Sequence, residues 1–343
     1  MKRQLAALLL TIFALSLTAC GETATESETR TVYAMDTVMN LTVYGENAAA
    51  ALESAEKELH TLDEAVLSRT AEGSELYALN ASNGETVECG ADDILPALIE
   101  TALTISDATE GAFDPTLAPV LDAWGFTKDE RRVPSADELK ELLSHTGCGK
   151  VALEKTADGW TVTLLDGAQL DLGGIAKGYA AGRVRTILRE AGVTSAIISL
   201  GGNVAAVGKK PDGSAWTVGL QDPDNPEAYF GTVSIEDACV VTSGAYQRYF
   251  EENGVCYHHI LDPHTGCPAE SGLKSVSVVA KDDTLADALS TALFVMGLDA
   301  GAEFQKSSGL AFEAVFVTDD NTVWITPGLA GRYRSDRPYQ ILE

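Results

Sequence analysis

The sequence predicts an α+β fold in which mixed sheets are flanked by helices. Segments with helical periodicity and short β-type runs intermix along the chain without regular strand–helix–strand alternation, which argues against a doubly wound parallel sheet. No GxxxxGK[ST] or GxGxxG phosphate loop occurs, which weighs against the common nucleotide-binding folds. With 343 residues, of which 45% are hydrophobic, the chain is long enough for one large domain or two closely packed ones.

The N-terminus has the pattern of a secretory signal rather than of a folded element. Two basic residues precede an apolar run from Leu5 to Leu17, which is too short for a transmembrane helix. The run ends in LTAC, which resembles a bacterial lipobox, in which the cysteine, here Cys20, is lipidated and the preceding peptide is removed. An ordinary signal peptide with a coincidental cysteine is the alternative.

The chain is therefore expected to have three parts. These are a lipoprotein signal peptide at residues 1–19, a flexible polar tether at 20–30 that begins with the lipidated Cys20, and a folded domain at 31–343. We expect the protein to be lipid-anchored to the bacterial cell membrane, facing outside the cytoplasm.

The elements of the folded part follow from hydrophobic periodicity. Residues 31–45 alternate as a pair of strands should. Helices are predicted at 47–66, 92–109, 135–147 and 174–192, the last with a glycine at its C-terminal cap. Short strands are predicted at 193–200, 216–220, 239–244, 275–280 and 314–318. A further helix, beginning near Thr284, lies between the last two strands.

The net charge limits the partners of the protein. A formal charge of −27 argues against nucleic acid and against a polybasic membrane-binding face. A polyanionic ligand would need a local positive group, such as a bound cation or a helix N-terminus.

The cysteines limit the structural chemistry. Of six, Cys20 is assigned to the lipid; the remaining five form no CxxC pair, so a structural zinc site or a dense disulfide framework is not expected. One or two disulfides and buried free thiols both remain open.

The segment TLADALSTALFVMG at 284–297 carries two polar residues on one narrow helical face. Asp287 and Thr291 are four residues apart, so their side chains stand one above the other. One interpretation is structural: Thr284 and Asp287 form a capping box, and the Thr291 hydroxyl bonds back to the i−4 carbonyl. The other is that both oxygens bind a hard cation such as Mg²⁺.

Two glycine pairs have the pattern of ligand-binding backbone. Gly173 and Gly174 open a helix with Lys177 in its first turn, where a phosphate would collect; a strand-to-helix turn with a solvated lysine is the alternative. Gly201 and Gly202, followed by Asn203, interrupt a strand, which indicates a bulge or the close approach of a ligand.

Three histidines lie within the segment YHHILDPHTGCP. His258, His259 and His264 could bind a transition metal. The intervening residues are typical of turns, however, so one active histidine beside a turn is the favoured interpretation. The segment 111–126, GAFDPTLAPVLDAWGF, could line a pocket for a flat ring or belong to the core.

Eight segments together resemble the ApbE family, the FAD:protein FMN transferases, in the family's order and across residues 31–330. They are MDTVMNLTVYG, SELYALNAS, GAFDPTLAPVLDAWGF, DLGGIAKGYAAG, ISLGGNVAAVG, VTSGAYQRYF, YHHILDPHTG and ADALSTALFVMG. The resemblance implies the T-fold-like ApbE architecture.

The resemblance also implies roles for individual residues. Asp287 and Thr291 match magnesium ligands, joined by the carbonyl of Gly174, and His259, with Asp287, matches the catalytic group. The residues that match FAD contacts are Met35, Tyr77, Gly111, Ala112, Phe113, Asp171, Lys177, Ile260 and Leu261. In one departure, the family's commoner Met-Gly-Thr is Met-Asp-Thr here, with Asp36 in the middle.

The activity implied is Mg²⁺-dependent transfer of FMN from FAD to a threonine or serine hydroxyl of a target flavoprotein, with release of AMP. The implied partners are FAD and flavoproteins with an exposed acceptor loop, of the membrane respiratory or extracellular kind. Two alternatives stay open: an FAD pyrophosphatase that yields FMN and AMP, and a lipid-anchored flavin-binding protein without turnover.

Overall fold

The computed structural model describes residues 26–126 and 130–343, which form seven α-helices and seventeen strands. The helices are α1 (Ala48–Thr61, continued by a π-helical turn at Leu62–Val66), α2 (Glu75–Asn80), α3 (Ile94–Ala108), α4 (Ala118–Trp124), α5 (Ala136–Leu143), α6 (Ala176–Glu190) and α7 (Asp283–Ser307). The strands are β1 (Ser27–Ala34), β2 (Thr37–Tyr44), β3 (Val87–Gly90), β4 (Val151–Lys155), β5 (Gly159–Leu164), β6 (Ser195–Leu200), β7 (Asn203–Gly208), β8 (Trp216–Asp222), β9 (Asn225–Ile235), β10 (Cys239–Gly244), β11 (Tyr249–Glu252), β12 (Val255–His258), β13 (Leu273–Ala280), β14 (Phe312–Thr318), β15 (Val323–Ile325), β16 (Tyr333–Arg334) and β17 (Tyr339–Ile341).

A nine-stranded sheet forms the centre of the fold, in the order β1-β2-β6-β7-β10-β13-β14-β15-β17. Neighbouring strands are antiparallel except β15 and β17, which are parallel. Both faces of the sheet are covered. In β10, Cys239 and Val241 join the core on the helical side, whereas Val240 between them joins the core on the other side. The large sheet therefore has helices on one face and a second core on the other, and the mixture of helices with a largely antiparallel sheet confirms the α+β class.

The second layer under the large sheet is a three-stranded sheet, β16-β9-β8. A further small sheet, β3-β5-β4, packs against α3, and the β11–β12 hairpin packs its aromatic rings on Trp124 of α4. Helices α6 and α7 lie next to each other on the helical side of the large sheet. Their contact positions the site described below.

The folded part begins earlier than the sequence predicts. Residues 27–30, assigned to the tether, belong to β1, and Ser27 pairs with Tyr44 in register with the rest of the hairpin. Cross-strand contacts hold this end, because Thr29 Oγ1 lies 3.1 Å from Thr42 Oγ1 and Arg30 pairs with Glu56 of α1. An exposed polar edge strand has the same composition as a tether, which explains the error. Residues 1–19 and Cys20 lie outside the described residues.

The N-terminus of α7 also differs from the prediction. The cap is Asp282, whose Oδ1 accepts the N–H of Leu285 at 3.0 Å, so the capping box of Thr284 and Asp287 does not form. The helix is long and apolar enough to span a membrane, but it is mostly buried between α6 and the sheet, as a core helix is. Gly297, with φ 79°, interrupts it.

The Gly201–Gly202 pair is a hairpin turn and not a bulge within a strand. Leu200 of β6 pairs with Asn203 of β7, and the two glycines between them have φ of 58° and 103°. Both values lie in the left-handed region, which glycine adopts without strain. The turn brings Asn203 to the edge of the helical layer.

Candidate active site

The site lies where the first turn of α6 meets the face of α7. The N–H of Gly178 donates to Asp287 Oδ2 at 2.7 Å, and Asp287 is only 5% exposed. Burial raises the pKa of this carboxyl, while the positive charge of Lys177 and the N–H of Gly178 act in the opposite direction. No described side chain forms a direct ion pair with Asp287, so Lys177 acts on the carboxylate only from a distance.

Thr291 lies one helical turn beyond Asp287 and faces the start of α6. A Cβ placed on Gly174 would lie 3.6 Å from Thr291 Oγ1, so the two residues are neighbours. Thr291 Oγ1 is 3.4 Å from Ser243 Oγ, at the end of β10. It is Ser290, and not Thr291, that donates to the carbonyl of Asp287, at 2.8 Å. The structure therefore places the three predicted ligand residues where the start of α6 meets α7, and the Thr291 hydroxyl points away from its own helix.

The donors at this place are a carboxylate, a hydroxyl and a backbone carbonyl, which are all oxygen ligands. Such a set suits Mg²⁺ rather than a transition metal. Within the described residues, no group of three or more His, Cys, Asp or Glu side chains could hold a metal ion. The three clustered histidines do not converge: the His258 ring packs edge-on against Phe294, and His264 lies in an exposed turn beside Asp262.

His259 has a defined hydrogen-bonding environment beside the site. Its backbone N–H and its ring Nδ1 both lie 3.1 Å from the carbonyl oxygen of Arg248. Because a carbonyl only accepts, Nδ1 carries the proton in the neutral ring and Nε2 is left as the basic nitrogen. Burial, together with the charges of Arg248 and Lys177, lowers the pKa of His259 to about 4. The ring is therefore neutral at pH 7.

The predicted flavin-contacting segment at 111–113 closes the site on one side. Ala112 and Phe113 are buried, and Phe113 Cε2 would lie 3.0 Å from a Cβ on Gly174. Gly111 has φ 82° and follows the C-terminus of α3. A side chain at Gly174 would therefore press on the Phe113 ring, which would have to shift by a few tenths of an ångström.

Asp171 shapes the loop that leads into α6. Its Oδ1 accepts the N–H of Gly173 at 2.7 Å, and its Oδ2 pairs with Nε of Arg69 at 2.7 Å. The side chain of Asn80 in α2 holds the backbone of the preceding residue, Leu170: Oδ1 accepts the Leu170 N–H at 2.7 Å, and Nδ2 donates to the Leu170 carbonyl at 2.9 Å. Sequence reasoning identified neither Arg69 nor the role of Asn80; Arg69 lies in a polar loop without a motif, whereas Asn80 lies within the segment SELYALNAS.

The remaining predicted contacts lie on separate elements. Met35 and Asp36 form the two-residue turn between β1 and β2, with φ of 50° and 55°. Asp tolerates this left-handed conformation better than most residues, so the departure from Met-Gly-Thr keeps the turn. Tyr77 is half-buried on α2, while Ile260 and Leu261 are buried directly after His259, where the carbonyl of Ile260 accepts the N–H of Ala269 at 3.0 Å.

Five cysteines lie in the described part of the chain, and all are free thiols. They are Cys89, Cys148, Cys239, Cys256 and Cys267. Burial raises the pKa of the Cys148 thiol to about 11 and that of Cys239 further still, so neither is a thiolate at pH 7. Of the two possibilities left open by the sequence, free thiols are what the structure contains in these residues.

Comparison with known proteins places this architecture in a family. The model of the ApbE family matches residues 35–316. A protein of Treponema pallidum (strain Nichols), named FAD:protein FMN transferase, is 38% identical over 338 residues, which cover 92% of this chain and 91% of the relative. A protein of the same name from Klebsiella pneumoniae (strain 342) is 36% identical over 250 residues, covering 72% of this chain and 76% of the relative.

Solved structures agree with the sequence relatives. The ApbE protein of Thermotoga maritima superposes with a TM-score of 0.82 at 33% identity, covering 90% of this chain and 100% of that one. The flavinyl transferase ApbE of Pseudomonas stutzeri superposes with a TM-score of 0.75 at 32% identity, covering 86% and 92%. The chain belongs to the ApbE family. This confirms the family, the fold class and the enzyme class that the sequence predicts.

Proposed function

We propose that the protein transfers FMN from FAD to a threonine or serine hydroxyl of a target flavoprotein, with Mg²⁺ bound, and releases AMP. One observation carries the proposal: the Asp287 carboxylate is buried without a direct ion-pair partner and faces the N-terminal turn of α6, which holds Lys177. The names of the relatives from Treponema pallidum and Klebsiella pneumoniae, FAD:protein FMN transferase, support the donor and the reaction class.

Asp287, Thr291 and the carbonyl of Gly174 are the groups that would hold Mg²⁺. The fit rests on the oxygen donor set and on the unpaired burial of Asp287, which would be compensated by a cation. When bound, Mg²⁺ would offset negative charge on the phosphate oxygens and on the departing AMP.

The chain's own groups supply the positive potential that an anionic dinucleotide needs on a protein of charge −27. Lys177 is the second residue of α6, where the helix N-terminus favours phosphate. The groups expected to hold the rest of FAD are Met35, Tyr77, the 111–113 segment, Asp171 and the backbone at Ile260 and Leu261. Asp171 acts partly through Gly173, whose N–H it orients.

His259 is the group we expect to take the acceptor's proton. Nε2 is unprotonated at pH 7, because the Arg248 carbonyl holds the proton on Nδ1 and the pKa of the ring is about 4. As the proton of the acceptor hydroxyl passes to Nε2, the hydroxyl oxygen bonds to the phosphorus on the riboflavin side of the pyrophosphate. The bond from that phosphorus to the bridging oxygen breaks, and its electron pair leaves with AMP.

The test uses a purified flavoprotein with an exposed acceptor threonine, incubated with the protein, FAD and Mg²⁺. We expect mass spectrometry to show one FMN added to the acceptor and chromatography to show one AMP released per FMN. An acceptor with Thr→Val at the modified position is the control and should stay unmodified. Free FMN and AMP without a modified acceptor would establish the pyrophosphatase instead, and bound FAD without either product would establish a flavin-binding protein.

We also propose that the protein acts at the outer side of the bacterial cell membrane, anchored through a lipid on Cys20. The proposal rests on the signal-like N-terminus and the LTAC sequence. Its acceptors would then be membrane respiratory or extracellular flavoproteins. The test is the distribution of Cys20→Ser protein between membrane and soluble fractions after a high-salt wash; retention of this variant in the membrane would contradict the lipid anchor.

A further inference from the structure

Helices α6 and α7 approach each other closely at Gly178. A Cβ placed on this glycine would lie 2.3 Å from the carbonyl oxygen of Asp283 and 2.6 Å from Cβ of Asp287. Both contacts are far inside van der Waals distance, and the first involves backbone, which cannot rotate away. One turn later on the same helix, a Cβ on Gly182 would lie 3.7 Å from Oδ2 and 3.9 Å from Cβ of Asp283, which are ordinary contacts.

A buried ion pair also connects α6 and α7 near Gly178. Arg185 of α6 is 2% exposed and Asp283 of α7 is 5% exposed. Arg185 Nη1 donates to Asp283 Oδ2 at 2.6 Å and to the carbonyl of Lys281 at 3.0 Å. The pair therefore fixes the first turn of α7 against α6 at the separation that Gly178 allows.

The candidate metal ligands lie on both sides of this contact. Asp287 and Thr291 belong to α7, whereas Gly174 precedes α6 by two residues. The distance between the two helices therefore sets the distance between the carboxylate and the carbonyl. A rigid, close contact keeps the ligands together before a cation arrives, which is how preorganised metal sites gain affinity.

We propose that Gly178 is a positioning residue for the metal site: its missing side chain sets the α6–α7 separation at which Asp287, Thr291 and Gly174 bind one cation. The Arg185–Asp283 pair holds that separation. This inference rests on the function proposed above. Gly178 contacts Asp287 through its backbone N–H, and the space beside it leaves no room for a side chain.

The test compares Gly178→Ala with Gly182→Ala, a matched pair on one helix. Alanine is the better helix former at both positions, so any loss in one variant alone comes from the contact with α7. The measurement is the rise in thermal unfolding temperature with Mg²⁺ concentration in the presence of FAD, with transfer rate against Mg²⁺ as a second readout. We expect Gly178→Ala to raise the half-saturating Mg²⁺ concentration at least about tenfold and Gly182→Ala to leave it unchanged.

The outcomes separate this inference from the proposed function. If the wild-type protein shows no Mg²⁺-dependent shift, the proposed metal site fails. If the wild type shows the shift and Gly178→Ala has the same midpoint, or Gly182→Ala changes it equally, the positioning role alone is overturned.

Should Gly178→Ala not fold, Asp283→Asn tests the same contact from α7. This variant keeps the side-chain size and weakens the tie to Arg185, so a few-fold rise in the Mg²⁺ midpoint is expected. An unchanged midpoint in folded Asp283→Asn protein overturns the proposal.

Discussion

Asp283 and Asp287 are one turn apart on α7 and equally buried, yet they differ in what neutralises them. Each is 5% exposed, and burial raises the pKa of each carboxyl. Asp283 forms an ion pair with Arg185 at 2.6 Å, whereas Asp287 accepts an N–H from Gly178 and forms no ion pair with any described side chain. The same helix thus carries one carboxylate in a direct ion pair and one that feels only the more distant charge of Lys177.

The difference separates a structural carboxylate from a functional one. A buried ion pair completes the packing of two helices, and removing one partner leaves a charge in an apolar place. A buried carboxylate without a cation costs stability, and proteins retain such groups at sites where the missing charge arrives with a ligand. The Thr291 hydroxyl and the Gly174 carbonyl beside Asp287 give that ligand the chemistry of a hard cation.

The largest expected effect is on activity at Asp287. Asp287→Ala should lower the transfer rate by at least about 1,000-fold, or about 4 kcal/mol, because it removes the charged metal ligand. The fold should persist, since α7 is capped by Asp282 and packs through Leu289 and Leu293. Flavinylation of an acceptor in saturating Mg²⁺, with circular dichroism as the folding control, measures both. A normal rate would refute the metal assignment.

Asp283→Ala should lower stability far more than Asp287→Ala does, and it should lower the transfer rate in saturating Mg²⁺ far less. It removes the 2.6 Å partner of the buried Arg185 and leaves only the half-exposed Asp237 at 3.6 Å, so we expect the free energy of unfolding to fall by about 3 kcal/mol. Urea denaturation monitored by tryptophan fluorescence gives this value. A loss below about 1 kcal/mol would mean that the ion pair is not what holds α7 to α6.

The pH dependence of the transfer rate tests the protonation state of His259. The pKa of His259 is lowered to about 4, so the ring stays neutral as the pH falls from 8 to 6 and becomes protonated only near pH 4. The transfer rate should therefore show no loss near pH 6.5, the ordinary pKa of histidine, and should fall below about pH 5.

His259→Ala should lower the transfer rate about 100-fold while FAD affinity stays unchanged. Titration of flavin fluorescence alongside a gel-based flavinylation assay separates the two quantities. If FAD affinity falls in proportion to activity, His259 holds the substrate and is not the base. An acid limb that survives in His259→Ala protein belongs to Asp287.

The smallest expected difference is between the neighbouring hydroxyls of Ser290 and Thr291 on α7. Thr291→Val keeps the side-chain shape but removes the predicted ligand, so the Mg²⁺ concentration for half-maximal rate should rise about tenfold. Ser290→Ala removes a hydroxyl that donates to the Asp287 carbonyl and lies 2.7 Å from Ser243 Oγ, but it removes no predicted ligand, so it should raise that concentration clearly less than Thr291→Val does. Equal effects in both variants would contradict Thr291 as a ligand.

The sequence predicted the helical face of Asp287 and Thr291 but not the contrast with Asp283. Spacing within one helix places i and i+4 residues together whatever surrounds them, and this part of the site could be derived locally. The partner of Asp283 lies 98 residues away, and so no local pattern reveals it. The same holds for Arg69, which pairs with Asp171 across the chain.

Most long periodic elements could also be predicted, whereas short and polar ones could not. Helices α1, α3, α6 and α7 follow from their apolar periodicity, and residues 239–244 form β10 at the predicted bounds. Helices α2 and α4 were not predicted, because six or seven residues contain too little periodicity. The polar start of β1 was assigned to the tether for a related reason: an exposed edge strand lacks the apolar residues that mark a buried one.

The most direct test of the account is a comparison of wild-type protein with Asp287→Asn, by thermal unfolding with FAD at pH 7 and increasing Mg²⁺. Asparagine keeps the shape and can still accept the Gly178 N–H, but it removes the buried charge. We predict that Asp287→Asn unfolds at a higher temperature than the wild type without Mg²⁺, and that Mg²⁺ stabilises only the wild type. An Asp287→Asn protein that is less stable without Mg²⁺ and equally stabilised by it would show that Asp287 is a structural carboxylate like Asp283.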